Sequence, residues 1–191
     1  GVNPTNGNAI YRKPDGSLTE LFDDVRDRQV FGTRDAPYFG GIANKFTYKG
    51  IDVSVFFTYL FGNLIYNNDR TNVEDPSYFF DNMSRAVSSE WRKPGDVTNI
   101  PRASQLMQRN TTRFLEDGSF LRLRNLQVGY TLPTAAAKAI KLSNVRFFMM
   151  GENLWTGFKF LGFDPELSNG LLTGAQYPAL RTITAGLTIG F

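Results

Sequence analysis

Apolar and polar residues alternate with a period of two over several stretches of this chain. From Ile51 to Phe61 every odd position is apolar or aromatic, while Asp52, Ser54 and Thr58 mark the even ones. That is the pattern of a strand with one apolar face. Just upstream, Phe46 and Tyr48 alternate with Lys45 and Thr47. Lys49-Gly50 between the two runs predicts a tight hairpin, since Gly supplies a positive φ at no steric cost. In the last stretch Ile183, Ala185, Leu187, Ile189 and Phe191 oppose Thr182, Thr184, Gly186, Thr188 and Gly190.

Two further runs are less regular. Leu126, Val128, Tyr130 and Leu132 oppose Asn125, Gln127, Gly129 and Thr131, but the phase reverses upstream, where Arg122 and Arg124 fall in step with the apolar set and Leu121 and Leu123 oppose it. Two explanations are open: a bulge near Asn125, or a strand that has left a bilayer, its arginines at headgroup level. From Asn144 to Trp155, Val145, Phe147 and Met149 oppose Arg146 and Glu152. Pro133 ends one strand, and Thr134 to Ile140 predicts a short helical turn. Strands are thus expected near 42–48, 51–61, 119–132, 144–156 and 179–191.

The connections are of two kinds. Those at Lys49-Gly50 and from Pro133 to Ser143 are short; those over 62–118 and 157–177 are long and rich in Asn, Asp, Pro and Gly. Counting strands up and down puts both short links on one side and both long ones on the other. Outer-membrane barrels have this asymmetry, with short periplasmic turns and long extracellular loops. A soluble sandwich also alternates, but would have to hold a very long connection inside a compact domain.

Composition narrows the chemistry. The 191 residues include no Cys and no His, which excludes thiolate or Ser-His catalysis, disulfides and ordinary zinc sites. A net charge of +3 is too small to suggest nucleic acid. The 17 Phe, 8 Tyr and 18 Gly in a chain only 41% hydrophobic suit a β-wall with lipid on one side and water on the other. No run of 18 apolar residues occurs, so no transmembrane helix is expected. Gly1 is not an initiator Met and no signal peptide follows it, so the chain is expected to start partway into a longer protein.

Five blocks carry a resemblance: NKFTYKGIDVSVFFTYLFGNLIYN (Asn44–Asn67), DGSFLRLRNLQVGYTLP (Asp117–Pro133), NVRFFMMGENLWT (Asn144–Thr156), GFDPEL (Gly162–Leu167) and YPALRTITAGLTIGF (Tyr177–Phe191). In order and spacing they resemble the C-terminal barrel region of SusC/RagA-like TonB-dependent outer-membrane transporters. The resemblance implies an all-β fold, the last five or so antiparallel strands of a 22-strand transmembrane barrel, in the Gram-negative outer membrane. It also implies import of large nutrients, oligosaccharides or peptides, with a SusD-like surface lipoprotein and TonB as partners. Plug, TonB box and remaining strands would lie upstream, on this or a separate chain, with outer-membrane lipid around the wall. No cofactor and no enzyme activity are implied. A passive porin or a soluble carbohydrate-binding sandwich are the alternative readings.

Site candidates are few. Tyr78, Phe79 and Trp91 in the long loop are aromatic faces able to stack on sugars, or to pack the loop on itself or against a lid protein. Thr184, Gly186, Ile189 and Phe191 fit the polar-x-Gly-x-x-hydrophobic-x-aromatic pattern that resembles the outer-membrane assembly signal. Asp23, Asp24 and Asp27, like Asp69, Glu74, Asp75 and Asp81, lack calcium-loop spacing and read as solvated. Asp164-Pro165-Glu166 reads as a turn, and Tyr48, Tyr59, Phe61, Tyr130 and Trp155 as lipid or girdle contacts.

Overall fold

The computed structural model describes residues 1–77, 82–103, 110–167 and 177–191. These hold strands β1 (Tyr11–Arg12), β2 (Leu18–Thr19), β3 (Tyr38–Tyr48), β4 (Ile51–Phe61), β5 (Leu64–Tyr66), β6 (Leu115–Asp117), β7 (Phe120–Thr131), β8 (Asn144–Phe158) and β9 (Thr182–Gly190), with helices α1 (Asn68–Val73) and α2 (Thr134–Ala139). No helix among the described residues is long and apolar enough to cross a membrane. The chain divides into two compact units, one built on residues 33–65, 117–167 and 177–191, the other on 1–32 and the described part of 66–116.

The first unit is a five-stranded, wholly antiparallel sheet in the order β3-β4-β7-β8-β9. Its register gathers the alternating residues into rungs. One rung is Tyr48, Ile51, Tyr130, Phe147 and Leu187, and the next on the same face is Phe46, Val53, Val128, Met149 and Ala185. Between them, on the other face, lie Thr47, Asp52, Gly129, Phe148 and Gly186. Ile51, Val53, Val55 and Phe57 therefore share a face with Leu187 and Ile189. Asp52, Ser54 and Thr58 share the opposite one with Thr184 and Thr188. The apolar face is not covered: Ile42, Phe46, Tyr48, Ile51, Phe147, Met149, Ile183 and Leu187 are all exposed.

Two local features set the register. Lys49 (φ 47°) and Gly50 (φ 83°) both take positive φ, as a two-residue hairpin turn matched to strand twist requires. The reversal near Asn125 is a bulge: Phe56 pairs with Asn125 but Phe57 with Leu123, which leaves Arg124 as the extra residue. Beyond it Arg122 lies opposite Thr58, while Leu121 and Leu123 join Tyr59 and Phe57 on the apolar face. The bulge accounts for the change of parity at the two arginines, and neither continues the apolar row.

Some element ends differ from expectation. β3 begins at Tyr38 rather than near 42, because Gly40 and Gly41 pair in the ladder without adding to the hydrophobic alternation. β9 begins only at Thr182, and residues 177–181 run outside the ladder.

Candidate functional site

On the polar face of the sheet, Arg146 of β8 reaches over β7 to Asp52 of β4, its Nη2 2.6 Å from Asp52 Oδ2 and its Nε 3.2 Å from Oδ1. The guanidinium also lies over the Phe148 ring, 5.4 Å from its centroid. The pair spans three strands because Gly129 stands between the two side chains. A Cβ at Gly129 would come 2.6 Å from Asp52 Oδ1 and would also meet Arg146 Nη2. We expect Gly129→Ala to push the ends of the Arg146 and Asp52 side chains apart and to cost about 1 kcal/mol, the low end of the range for added atoms. A urea unfolding midpoint unchanged from wild type would contradict this arrangement.

A second charge cluster sits at the bulge. Arg122 donates through Nη2 to Asp164 Oδ1 at 2.5 Å and lies 3.2 Å from Glu166 Oε2 through Nη1. Arg124 pairs with the other oxygen of Glu166 and donates to Asn153 Oδ1 at 3.3 Å. Asp164 also accepts the Glu166 amide (3.0 Å) and the Ala179 amide (3.4 Å). The expected turn at Asp164-Pro165-Glu166 is therefore also an ionic anchor. The bulge makes it possible, since it turns Arg122 off the apolar face.

In the other unit, Arg70 of α1 bonds Glu74 (2.6 and 2.9 Å) and Glu116 (2.7 Å), and Arg113 lies 3.5 Å from Glu74. Both guanidiniums flank the fully buried Phe114 ring. The two carboxylates hold Arg70 protonated well above the usual range, the Glu74 bond contributing most. Burial pushes Arg113 down. Glu74 and Asp75 are thus buried and bonded, correcting the solvated reading: Asp75 accepts Ser77 N at 2.9 Å and Ser77 Oγ at 2.6 Å. Asp27 is buried as well and accepts the Asp23 amide at 2.9 Å, while Asp23 accepts the amides of Val25 and Arg26. Glu20 receives the side-chain amides of Asn8, Asn3 and Asn6, which hold its carboxyl below the ordinary range. Nothing in the sequence pattern pointed to that cradle.

Among the named candidates, Trp91 donates its indole N–H to Pro4 O at 3.0 Å and covers Gly7, whose φ of 75° leaves no room for a side chain; a Cβ there would lie 2.5 Å from Trp91 Cδ2. Tyr78, Phe79 and Asp81 lie outside the described residues. A cavity of about 1100 Å³ in this unit is lined by Tyr11, Arg12, Phe22, Tyr66, Asn68 and Arg113, aromatic faces beside hydrogen-bonding groups. Thr184 lies on the polar face opposite Met150, Gly186 lies under the Phe148 ring, Ile189 pairs with Val145, and Phe191 is exposed beyond the end of β9. Tyr48, Tyr59, Phe61, Tyr130 and Trp155 all fall on the apolar face, with Tyr59 and Phe61 stacked at 5.6 Å.

No protein-family model matches the chain. Among curated proteins it is similar to TonB-dependent receptor P3 of Formosa agariphila, 30% identical over 191 residues, covering 90% of this chain and 19% of that protein. It is also similar to TonB-dependent receptor SusC of Bacteroides thetaiotaomicron, 24% identical over 172 residues and covering 88% of this chain and 16% of that one. Among solved structures, the RagAB peptide importer in its open-open state superposes with a TM-score of 0.90 at 27% identity, covering all of this chain and 21% of that one. The closed-closed state gives 0.89 at 28% identity. The chain spans about a fifth of the length of the curated relatives it matches first. These relatives are receptors and transporters, not enzymes.

Proposed function

We propose, from the premise that this chain is a barrel-wall stretch of a SusC/RagA-like TonB-dependent receptor, that the receptor imports large nutrients, oligosaccharides or peptides, across the Gram-negative outer membrane. The observation that carries this is the uncovered apolar face of a sheet whose other face is polar and ion-paired. An exposed apolar surface that extends over five strands belongs against lipid or another protein, not water. The polar face then lines the lumen, where a plug from upstream would sit, and TonB would supply the energy through that upstream part. The SusC name of one relative supports a SusD-like surface lipoprotein as partner. Neither TonB nor the lipoprotein needs a residue of this chain to be catalytic.

Sidedness follows from the connections. Residues 62–118 and 157–177 face the cell exterior, and the turn at Lys49-Gly50 faces the periplasm. These 191 residues hold no Cys, so single substitutions test this in a receptor kept free of Cys elsewhere. Val97, 95% exposed in the long loop, should as Val97→Cys react with a membrane-impermeant maleimide on intact cells. Lys49→Cys should react only after the outer membrane is breached. The reverse pattern would overturn the orientation, and extraction of the receptor without detergent would overturn the membrane reading. Uptake that persists in cells lacking TonB would favour a passive porin instead.

A further inference from the structure

We propose that the cleft at the loop end of β8 binds the phosphorylated headgroup of a glycolipid in the outer leaflet, with Arg181 on the phosphate and Trp155 and Phe163 flanking the sugar. This rests on the membrane reading above. β9 pairs with β8 only as far as Glu152↔Thr182, although β8 runs on to Phe158. From Asn153 onward the edge of β8 that faced β9 has no ladder partner among the described residues; the Asn153 side chain donates instead to Leu180 O at 3.1 Å. The β8–β9 ladder itself matches the ~9–11 residues that cross the hydrocarbon. With that ladder as the crossing stretch, the hydrocarbon boundary falls near Glu152, and what lies beyond it stands at headgroup level.

The cleft there holds about 370 Å³ and is lined by Trp155, Phe158, Phe163, Asp164 and Arg181 among others. Trp155 continues the apolar face, in the rung of Phe57 and Leu123, and is 50% exposed; Phe163 is 81% exposed. Arg122 and Asp164 neutralise one another within the cleft wall. Arg181 is exposed, and among the described residues no carboxylate pairs with it. An exposed guanidinium and an indole lining one cleft, the indole in a rung of the apolar face, suit a phosphate joined to a sugar: the guanidinium takes phosphate oxygens in a forked contact and the ring stacks on the sugar's apolar face.

The test uses the complete receptor in nanodiscs, with bound lipid counted by native mass spectrometry. Phosphorylated lipid A should be retained over its dephosphorylated form by wild type. Arg181→Gln should weaken that retention about tenfold, the loss of one charge-assisted contact, while Arg181→Lys should keep most of it. Equal retention of the two lipids by wild type overturns the proposal without any variant, as does Arg181→Gln behaving like wild type. Displacement of lipid A by millimolar inorganic phosphate alone would also overturn it, since the site would then be a free-anion site. A receptor extracted without detergent removes the membrane reading itself; a folded, detergent-requiring receptor that ignores the lipid phosphate removes only this inference.

Discussion

Arg122→Ala should destabilise the wall by about 3–5 kcal/mol, towards the lower end of that range. Arg122 is 2% exposed and Asp164 6%, with 2.5 Å between their nearest atoms. Removing the guanidinium takes the Arg122 charge from the buried Asp164 anion and one of two cations from Glu166. It also removes the cation lying 5.6 Å over the Phe120 ring. The loss stays moderate because Asp164 keeps two backbone donors, the amides of Glu166 and Ala179. Arg122→Lys should lose less, since it keeps the charge but not the fork that meets two carboxylates at once. Arg122→Met combined with Asp164→Asn should recover most of the loss, because deleting both charges of a buried pair is often neutral where deleting one is not. Urea unfolding of the detergent-solubilised receptor provides the comparison. A midpoint for Arg122→Ala equal to wild type would mean that the bulge, and not the ion pair, fixes this corner.

Sequence periodicity revealed the sheet because a period of two is written into side chains whenever the two faces of a strand meet different surroundings. It was readable in β4 and β9, whose residues change character at almost every step. It was least readable at Gly40-Gly41, where the ladder continues but the residues carry no side chain to register a face. At Arg122 and Arg124 the pattern showed that something changed but not what. A bulge and an exit from the bilayer change the pattern in the same way, and it takes the pairing of Phe57 with Leu123 to show that a bulge is there. The charged residues were harder still. Glu74 and Asp75 look like loop acids in sequence; Glu74 is buried against Arg70, Arg113 and Phe114, brought together by α1 and residues far along the chain, while Asp75 is held locally by Ser77. The Asn3, Asn6 and Asn8 cradle for Glu20 has the same origin: short polar side chains without periodicity become specific only when a turn gathers them.

The facing of the wall yields the sharpest contrast between neighbouring positions. Val55 lies near the middle of β4, on the apolar face, paired with Leu126 of β7. If that face meets hydrocarbon, Val55→Lys should cost about 2–4 kcal/mol, the range for a cation near the bilayer midplane. Gln127 follows Leu126 directly but points the other way, between Ser54 and Met150 in the polar rungs. Gln127→Lys should therefore stay within about 0.5 kcal/mol of wild type, as polar-face substitutions away from ion pairs usually do. A one-residue slip of the register would exchange the two outcomes, because it moves every side chain of a strand to the opposite face. Unfolding midpoints of the two variants in the same lipid thus measure face and register together. Equal losses would indicate that both faces meet water or protein, and the uncovered apolar rungs would then need a partner other than lipid.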